Sequence, residues 1–324
     1  MTLEAVERIA SRLLGAPVLR LAPVRLGGNN RLFRVESGQG VHALKCHLRQ
    51  PHDPRDRQKT ETRALVFLRA QGVTAIPRLV ALDRESGCTL LEWIDGEPLH
   101  QPTAADVDAA LALIRQLRPL GAVPEAERLP LASAACLSSR MLVRQVEDRF
   151  ARLRPVLPDH PELAAFIREA FLPCMARTME TLIPSDELPV ALRLLSPSDF
   201  GFHNALRTPK GEIVFLDFEY FGWDDPVKLT CDFLLHPGMN LADDLKERFV
   251  QGMTALCHGD RDFAPRLRRF HPLAGLSWCL ILLNEFLQEG WERRAFAGSG
   301  QPPGEARQRQ LAKARHLLAT LCPG

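Results

Sequence analysis

Apolar positions change their period along the first hundred residues. From residue 4 to 14, Val6, Ile9, Leu13 and Leu14 share one face at helical spacing. Short β-prone runs follow at residues 24–26, 31–36 and 41–48, parted by Gly27-Gly28-Asn29-Asn30 and by a second turn over residues 37–40. Residues 58–70 return to a helical pattern, with Ala64, Leu65, Phe67 and Leu68 on or near one side, and Gly72 ends it. Residues 76–82 and 88–94 read as two further strands, the second closed by Asp95-Gly96. Five strands and one main helix by residue 94 make a complete small lobe.

Beyond Asp95 the pattern is mostly helical. Thr103 is an N-cap candidate for a helix to about residue 120, and residues 124–131 read as loop. Helices are expected over 138–153 and 160–182, with Pro173 kinking or splitting the second. Arg140, Arg144, Arg149, Arg152 and Arg154 read as a solvated face. Residues 241–256 and 265–294 are helical, the latter with a break expected at His271-Pro272. The run from Trp278 to Trp291 is apolar nearly all round, as in a buried helix, with Asn284 and Glu285 inside it as a satisfied polar pair or as groups reaching a pocket. A link at 298–304 leads to a closing helix at 305–321. The expected division is therefore 1–94 and 95–324.

Composition adds limits rather than chemistry. The chain has 324 residues, 46% hydrophobic, enough for a substantial core. A formal charge of +2 gives no push toward nucleic acid or an anionic membrane, so neither is expected as a partner. The eight cysteines are scattered without a C-x-x-C pair, which argues against a zinc site or a disulfide framework and fits a reducing compartment. The first residues lack a signal-type apolar core, and no run approaches a membrane span. A cytoplasmic protein, monomer or homodimer, is the expectation.

Candidate chemistry concentrates between residues 195 and 235. Asp199 is followed five positions on by Asn204, and thirteen beyond that by Asp217. Between the last two lie the turn Pro209-Lys210-Gly211 and the β-prone run 213–216. A loop with Asp and Asn, a hairpin, then an Asp at a strand end is a base-and-metal arrangement. One carboxylate can take the proton of an attacking hydroxyl, while the amide and second carboxylate can hold magnesium on a nucleotide's phosphates. Upstream, Lys45 sits mid-strand among apolar neighbours, where an ammonium needs a partner; a snorkelling edge lysine is the other reading. Alternation puts it on the face of Val41, Ala43 and His47. Gly27, Gly28 and Asn29 either form a plain hairpin turn or bring backbone N–H groups to phosphates.

The segments S-D-F-G-F-H-N and L-D-F-E resemble the catalytic core of the aminoglycoside phosphotransferase and choline kinase superfamily, which has a protein-kinase-like fold. That resemblance implies an α+β, bilobal fold: a small N-terminal β-sheet lobe with one main helix, a larger mostly helical C-terminal lobe, and a nucleotide in the cleft. It implies Asp199 as catalytic base, Asn204 and Asp217 as magnesium ligands, and Lys45 on the nucleotide phosphates, paired with Glu61 of E-x-x-A-L-x-x-L. Gly27, Gly28 and Asn29 would approach the phosphates, and the backbone of Glu92, Trp93 and Ile94 would form the hinge that meets the adenine. The implied activity is Mg2+-dependent transfer of the γ-phosphoryl group of ATP or GTP to a hydroxyl of a small molecule such as a sugar, amino alcohol or aminoglycoside.

Two features depart from the pattern. Where the family has a histidine two residues before the base, this chain has Pro197, which puts the packing of the base loop in question. Asp199-Phe200-Gly201 also spells the protein-kinase metal motif. Read so, it would need a base and an Asn upstream; Asp186 is there, but five residues past it stands Ala191. Among the acids after Asp217, Asp224 and Asp225 read equally as site residues or as N-caps. A catalytically inactive nucleotide-binding regulator, a protein kinase, and a helical binding module without nucleotide remain as alternatives. The absence of an A-P-E segment weighs against the protein kinase. Thermal shift with Mg-ATP separates the binding module from the rest.

Overall fold

In the computed structural model, residues 2–24, 30–49, 53, 55–239, 241–296 and 302–322 are described. The helix expected at the N-terminus is α1 (Leu3–Leu14), capped by Thr2. Strands β1 (Val18–Val24), β2 (Asn30–Ser37) and β3 (Gly40–His47) follow, then helix α2 (Arg57–Ala70) and strands β4 (Leu79–Asp83) and β5 (Cys88–Glu92). The five strands form one antiparallel sheet in the order β1-β2-β3-β5-β4. Strand parity divides its faces. Phe33, Val35, Leu44, Cys46, Cys88 and Leu90 pack under Val6, Ala10 and Leu14 of α1. Lys45 turns the other way, toward α2. The two expected helices thus serve opposite faces of this sheet, because its first face is as apolar as any core and needs its own cover. β1 starts earlier than expected, since an edge strand tolerates both Pro23 and a shift in register after Val18.

Past β6 (Glu97–Pro98) the chain enters a helical region: α3 (Ala104–Leu117), α4 (Ser139–Leu153), α5 (Pro161–Phe166) and α6 (Leu172–Glu180). Thr103 caps α3 in a reciprocal box with Asp106, and Ser138 caps α4. Pro173 splits its segment as expected. A single π turn, Ile167–Phe171, separates α5 from α6, the local widening by which a helix accommodates a residue without an N–H. Strand β7 (Leu194–Ser196) precedes the Asp199 loop, and β8 (Ala205–Arg207) and β9 (Ile213–Phe215) join β6 in a small sheet. β10 (Gly222–Asp224) pairs with β7. Helices α7 (Pro226–Leu235), α8 (Asp243–Leu256), α9 (Phe263–Leu282), α10 (Gln288–Phe296) and α11 (Pro303–Leu321) complete the fold. The chain divides into two compact units: Met1–Leu99 with Phe202–Phe221 and Glu292–Gly300, and His100–Gly201 with Gly222–Trp291 and Gln301–Gly324.

Two expectations for the second unit need correcting. α9 runs straight through Pro272, because Phe270, Leu273, Ala274 and Leu276 are buried around it and packing outweighs one lost hydrogen bond. The break falls later, at the 3-10 turn Leu283–Phe286, after which Gly290 approaches the carbonyl of Asn284 so closely that a Cβ would lie 2.1 Å from its oxygen. The second correction is a disulfide, Cys174–Cys322, with Cα atoms 6.2 Å apart. Tertiary position, not spacing, brings these cysteines together, so a scattered pattern could not reveal them.

The acids after β9 also find places here. Asp225 is the N-cap of α7, accepting from Val227 N–H at 2.8 Å, and it forms a two-pronged ion pair with Arg266. Asp224 is buried, and its Oδ1 accepts N–H bonds from Cys136 at 2.9 Å and Asp225 at 2.8 Å. Burial pushes its pKa up to about 7, against the opposing pull of Lys228 and the two N–H groups. An acid whose folded pKa is raised keeps its proton in the folded state while the unfolded chain has lost it. Stability should therefore fall as pH rises from about 4 to about 7. Asp224→Asn keeps the accepting oxygen and removes the ionisation. Its melting temperature should drop less than the wild-type value between pH 5 and pH 8; parallel profiles would contradict this placement.

Candidate active site

Lys45 lies at the centre of an ionic cluster in the first unit. Its Nζ donates to Glu61 Oε1 at 2.8 Å and to Asp217 Oδ1 at 2.8 Å, and stands 3.7 Å from Glu219 Oε2. β3 supplies the lysine on its inward face, α2 supplies Glu61 one turn past its start, and the segment after β9 supplies the other two acids. Burial alone would lower the lysine's pKa, but Asp217, Glu61 and Glu219 outweigh it and hold the ammonium well above its ordinary value.

The acidic segment is clipped in place. Phe218 N–H donates to Glu61 Oε1 at 3.3 Å, and the Phe218 and Phe221 side chains are fully buried. Leu216 N–H donates to Asn204 C=O at 2.7 Å, tying the residue before Asp217 to Asn204 at the head of β8. Asp217 itself adopts φ 66°, a left-handed conformation that Asp tolerates better than most side chains and that recurs at functional sites. Glu219 is buried among Asn30, which donates to it at 2.7 Å, and His47, 3.7 Å away, with Arg57 at 4.0 Å. Burial would raise its pKa, yet Lys45, His47, Arg57 and Asn30 hold it far below the carboxylate range.

In the second unit Asp199 follows β7 on a tight loop. Asp199 N–H donates to Pro197 C=O at 3.0 Å, Ser198 has φ 69°, and its Oγ donates to Ser133 C=O at 3.1 Å. The Asp199 carboxylate faces His236 Nε2 at 3.9 Å. Phe200, the middle letter of the kinase-like spelling, is buried against Phe233 with ring centroids 5.8 Å apart.

Of the residues singled out in the sequence, Lys45, Glu61 and Asp217 meet directly, with Asn204 one backbone bond away. At the expected hinge, the Glu92 carboxylate accepts from Arg69 and from Arg78 N–H, and the Trp93 ring lies under Arg34. Ile94 is half-buried just after β5. Gly27, Gly28 and Asn29 lie outside the described residues. Sequence reasoning assigned no chemistry to His47, Arg57 or His236. His47 shares strand parity with Lys45, a signal that could have singled it out.

The donors are suited to magnesium. The Asp217 side chain is 24% exposed. With the Asn204 amide it offers hard oxygen ligands, few enough that phosphate and water oxygens would complete an octahedral shell.

A five-stranded antiparallel sheet carrying a buried Lys–Glu pair, followed by a larger helical part, is the protein-kinase-like arrangement. A model of the phosphotransferase enzyme family matches residues 20–236, and the chain belongs to that family. It is a phosphotransferase. Solved structures agree in fold along nearly the whole chain. Choline kinase LicA from Streptococcus pneumoniae aligns with TM-score 0.63 and 16% identity, covering 98% of both chains. Spectinomycin phosphotransferase APH(9)-Ia in complex with ADP and spectinomycin gives 0.59 and 12%, again with 98% of both chains. Macrolide 2'-phosphotransferase MphH from Brachybacterium faecium gives 0.55 and 18%, over 93% of this chain and all of its own. No curated protein matches the sequence. Among the described residues, no single helix is long and apolar enough to cross a membrane.

Proposed function

We propose that this protein transfers the γ-phosphoryl group of ATP or GTP to a hydroxyl of a small molecule. The observation that carries this reading is the Lys45–Glu61–Asp217 cluster: a buried lysine held between two acids, one partly exposed in a left-handed turn. A purely structural salt bridge has no need of a partly exposed third member. The relatives' ligands support the chemistry, since the spectinomycin enzyme was solved with ADP and LicA with AMP.

In this reading residues of 1–94 hold the nucleotide, and residues of 95–324 supply the catalytic groups and hold the acceptor. Asn204 and Asp217 would hold Mg2+, which when bound offsets negative charge on the phosphates. Lys45 adds a fixed positive charge, and Glu61 keeps that ammonium from turning away. Asp199 accepts a hydrogen bond from the acceptor hydroxyl and takes its proton as the new P–O bond forms. The bond from the γ-phosphorus to the bridging oxygen breaks, and the nucleoside diphosphate leaves. Positioning and electrostatics do most of such work.

A screen of sugars, amino alcohols, aminoglycosides and lipid-head-group precursors with Mg-ATP and Mg-GTP tests this. At least one acceptor should give a phosphorylated product and stoichiometric nucleoside diphosphate, lost on chelation of magnesium. Mg-nucleotide binding without transfer to any acceptor would favour an inactive regulator.

A further inference from the structure

We infer that His236 is a positioning residue for Asp199, beside His203, whose ring nitrogen lies within 4.8 Å of both, an inference that rests on Asp199 being the base. The loop that carries Asp199 is fixed through its backbone: Ser196 Oγ accepts from Ser198 N–H at 3.0 Å, and Pro197 C=O accepts from Asp199 N–H at 3.0 Å. Pro197 itself has neither an N–H nor a polar side chain to aim the carboxylate. His236, at the C-terminal end of α7, points Nε2 at Asp199 Oδ1 from 3.9 Å.

The orientation and the proton of that imidazole are both set. Gly238 N–H donates to His236 Nδ1 at 3.1 Å, so Nδ1 must present its lone pair. The proton of the neutral ring then sits on Nε2, the nitrogen facing the base. The ring stands edge-on to the Trp278 indole, with centroids 4.8 Å apart and planes at 88°. Trp278 Nε1 donates to Asp232 Oδ1 at 2.9 Å, and Asp232 pairs with Lys228 one turn earlier on α7. A chain of contacts thus runs from the middle of α7 through α9 and back to the imidazole. The same helix grips the loop a second time, through Phe233 against Phe200. An N–H held toward a carboxylate selects one side-chain direction. A separation of 3.9 Å exceeds a hydrogen bond, but catalytic contacts often tighten only when substrate binds.

The test compares His236→Phe, His236→Gln and Asp199→Asn. Phosphate release from Mg-ATP alone is the kinetic probe, and 15N spectra of labelled histidine are the second readout. His236→Phe should lower kcat by about 10²-fold, as expected of a misplaced catalytic group, with KM for Mg-ATP nearly unchanged. His236→Gln puts an amide N–H close to the position of Nε2 and should recover most of the loss. The spectra should show the Nε2–H tautomer for His236, and its resonance should shift in Asp199→Asn. Full kcat in His236→Phe, equal loss in His236→Gln, or a resonance indifferent to Asp199→Asn would overturn the inference. Wild-type turnover in Asp199→Asn would overturn the base assignment itself, a distinct failure that removes the inference with it.

Discussion

Lys45→Met should both unfold more easily and lose nucleotide use. The substitution leaves Glu61, Asp217 and Glu219 facing one another without the ammonium that Glu61 and Asp217 share at 2.8 Å. Breaking a buried ion pair from one side typically costs about 3–5 kcal/mol, because the remaining charge stays desolvated. Lys45 and Glu61 are both nearly inaccessible, so the upper part of that range applies to them better than the surface value of about 0–1 kcal/mol. Equilibrium urea unfolding measures the loss. A second substitution, Glu61→Leu, should restore part of the stability by removing the stranded acid, and none of the nucleotide binding. A Lys45→Met protein with wild-type stability and wild-type affinity for Mg-ATP would show that the cluster is a surface pair of no consequence.

Asp217→Asn should abolish turnover while leaving the fold intact. Asparagine tolerates the left-handed backbone that Asp217 adopts and still offers an oxygen to Lys45. Only the negative charge goes, and with it the group proposed to hold magnesium. Removing one preorganised electrostatic contact typically lowers kcat by about 10²–10³-fold, and loss of a metal ligand adds weaker nucleotide binding. Unchanged circular dichroism with turnover below detection is the expected pair of results. Full activity would remove Asp217 from the site.

The features legible in the sequence were those with few other uses. A lysine in the middle of a buried strand has almost no structural role without a partner, so Lys45 stood out, while Glu61 came only from the resemblance of E-x-x-A-L-x-x-L to the family's helix. Asp217 was marked by its place at a strand end after a hairpin. Glu219 was marked only as the last letter of L-D-F-E, and His47 and Arg57 were given no chemistry, because their burial around one another depends on where three separate segments meet. Pro173 and Pro272 make the same point. Both lack an N–H, yet one coincides with a helix split and the other is carried through, since only the second is followed by a fully buried turn, residues 273–276. Cys174 and Cys322 join near the ends of two helices, and His236 reaches Asp199 from the end of another; neither pairing has a signature in spacing.

The division of labour between Asp199 and Asp217 is the centre of this account, and it also decides how the Asp199-Phe200-Gly201 spelling should be read. Calorimetric titration of Mg-ATP, or of Mg-GTP if the screen selects it, into Asp199→Asn and Asp217→Asn compares the two directly. A base acts on the acceptor and contributes mainly in the transition state, typically about 10²–10⁴-fold in rate, with little effect on nucleotide affinity. The account predicts near wild-type affinity in Asp199→Asn together with lost turnover, and strongly weakened binding in Asp217→Asn. Equal loss of affinity in both variants, or loss in Asp199→Asn alone, would contradict it and move the metal to the first aspartate.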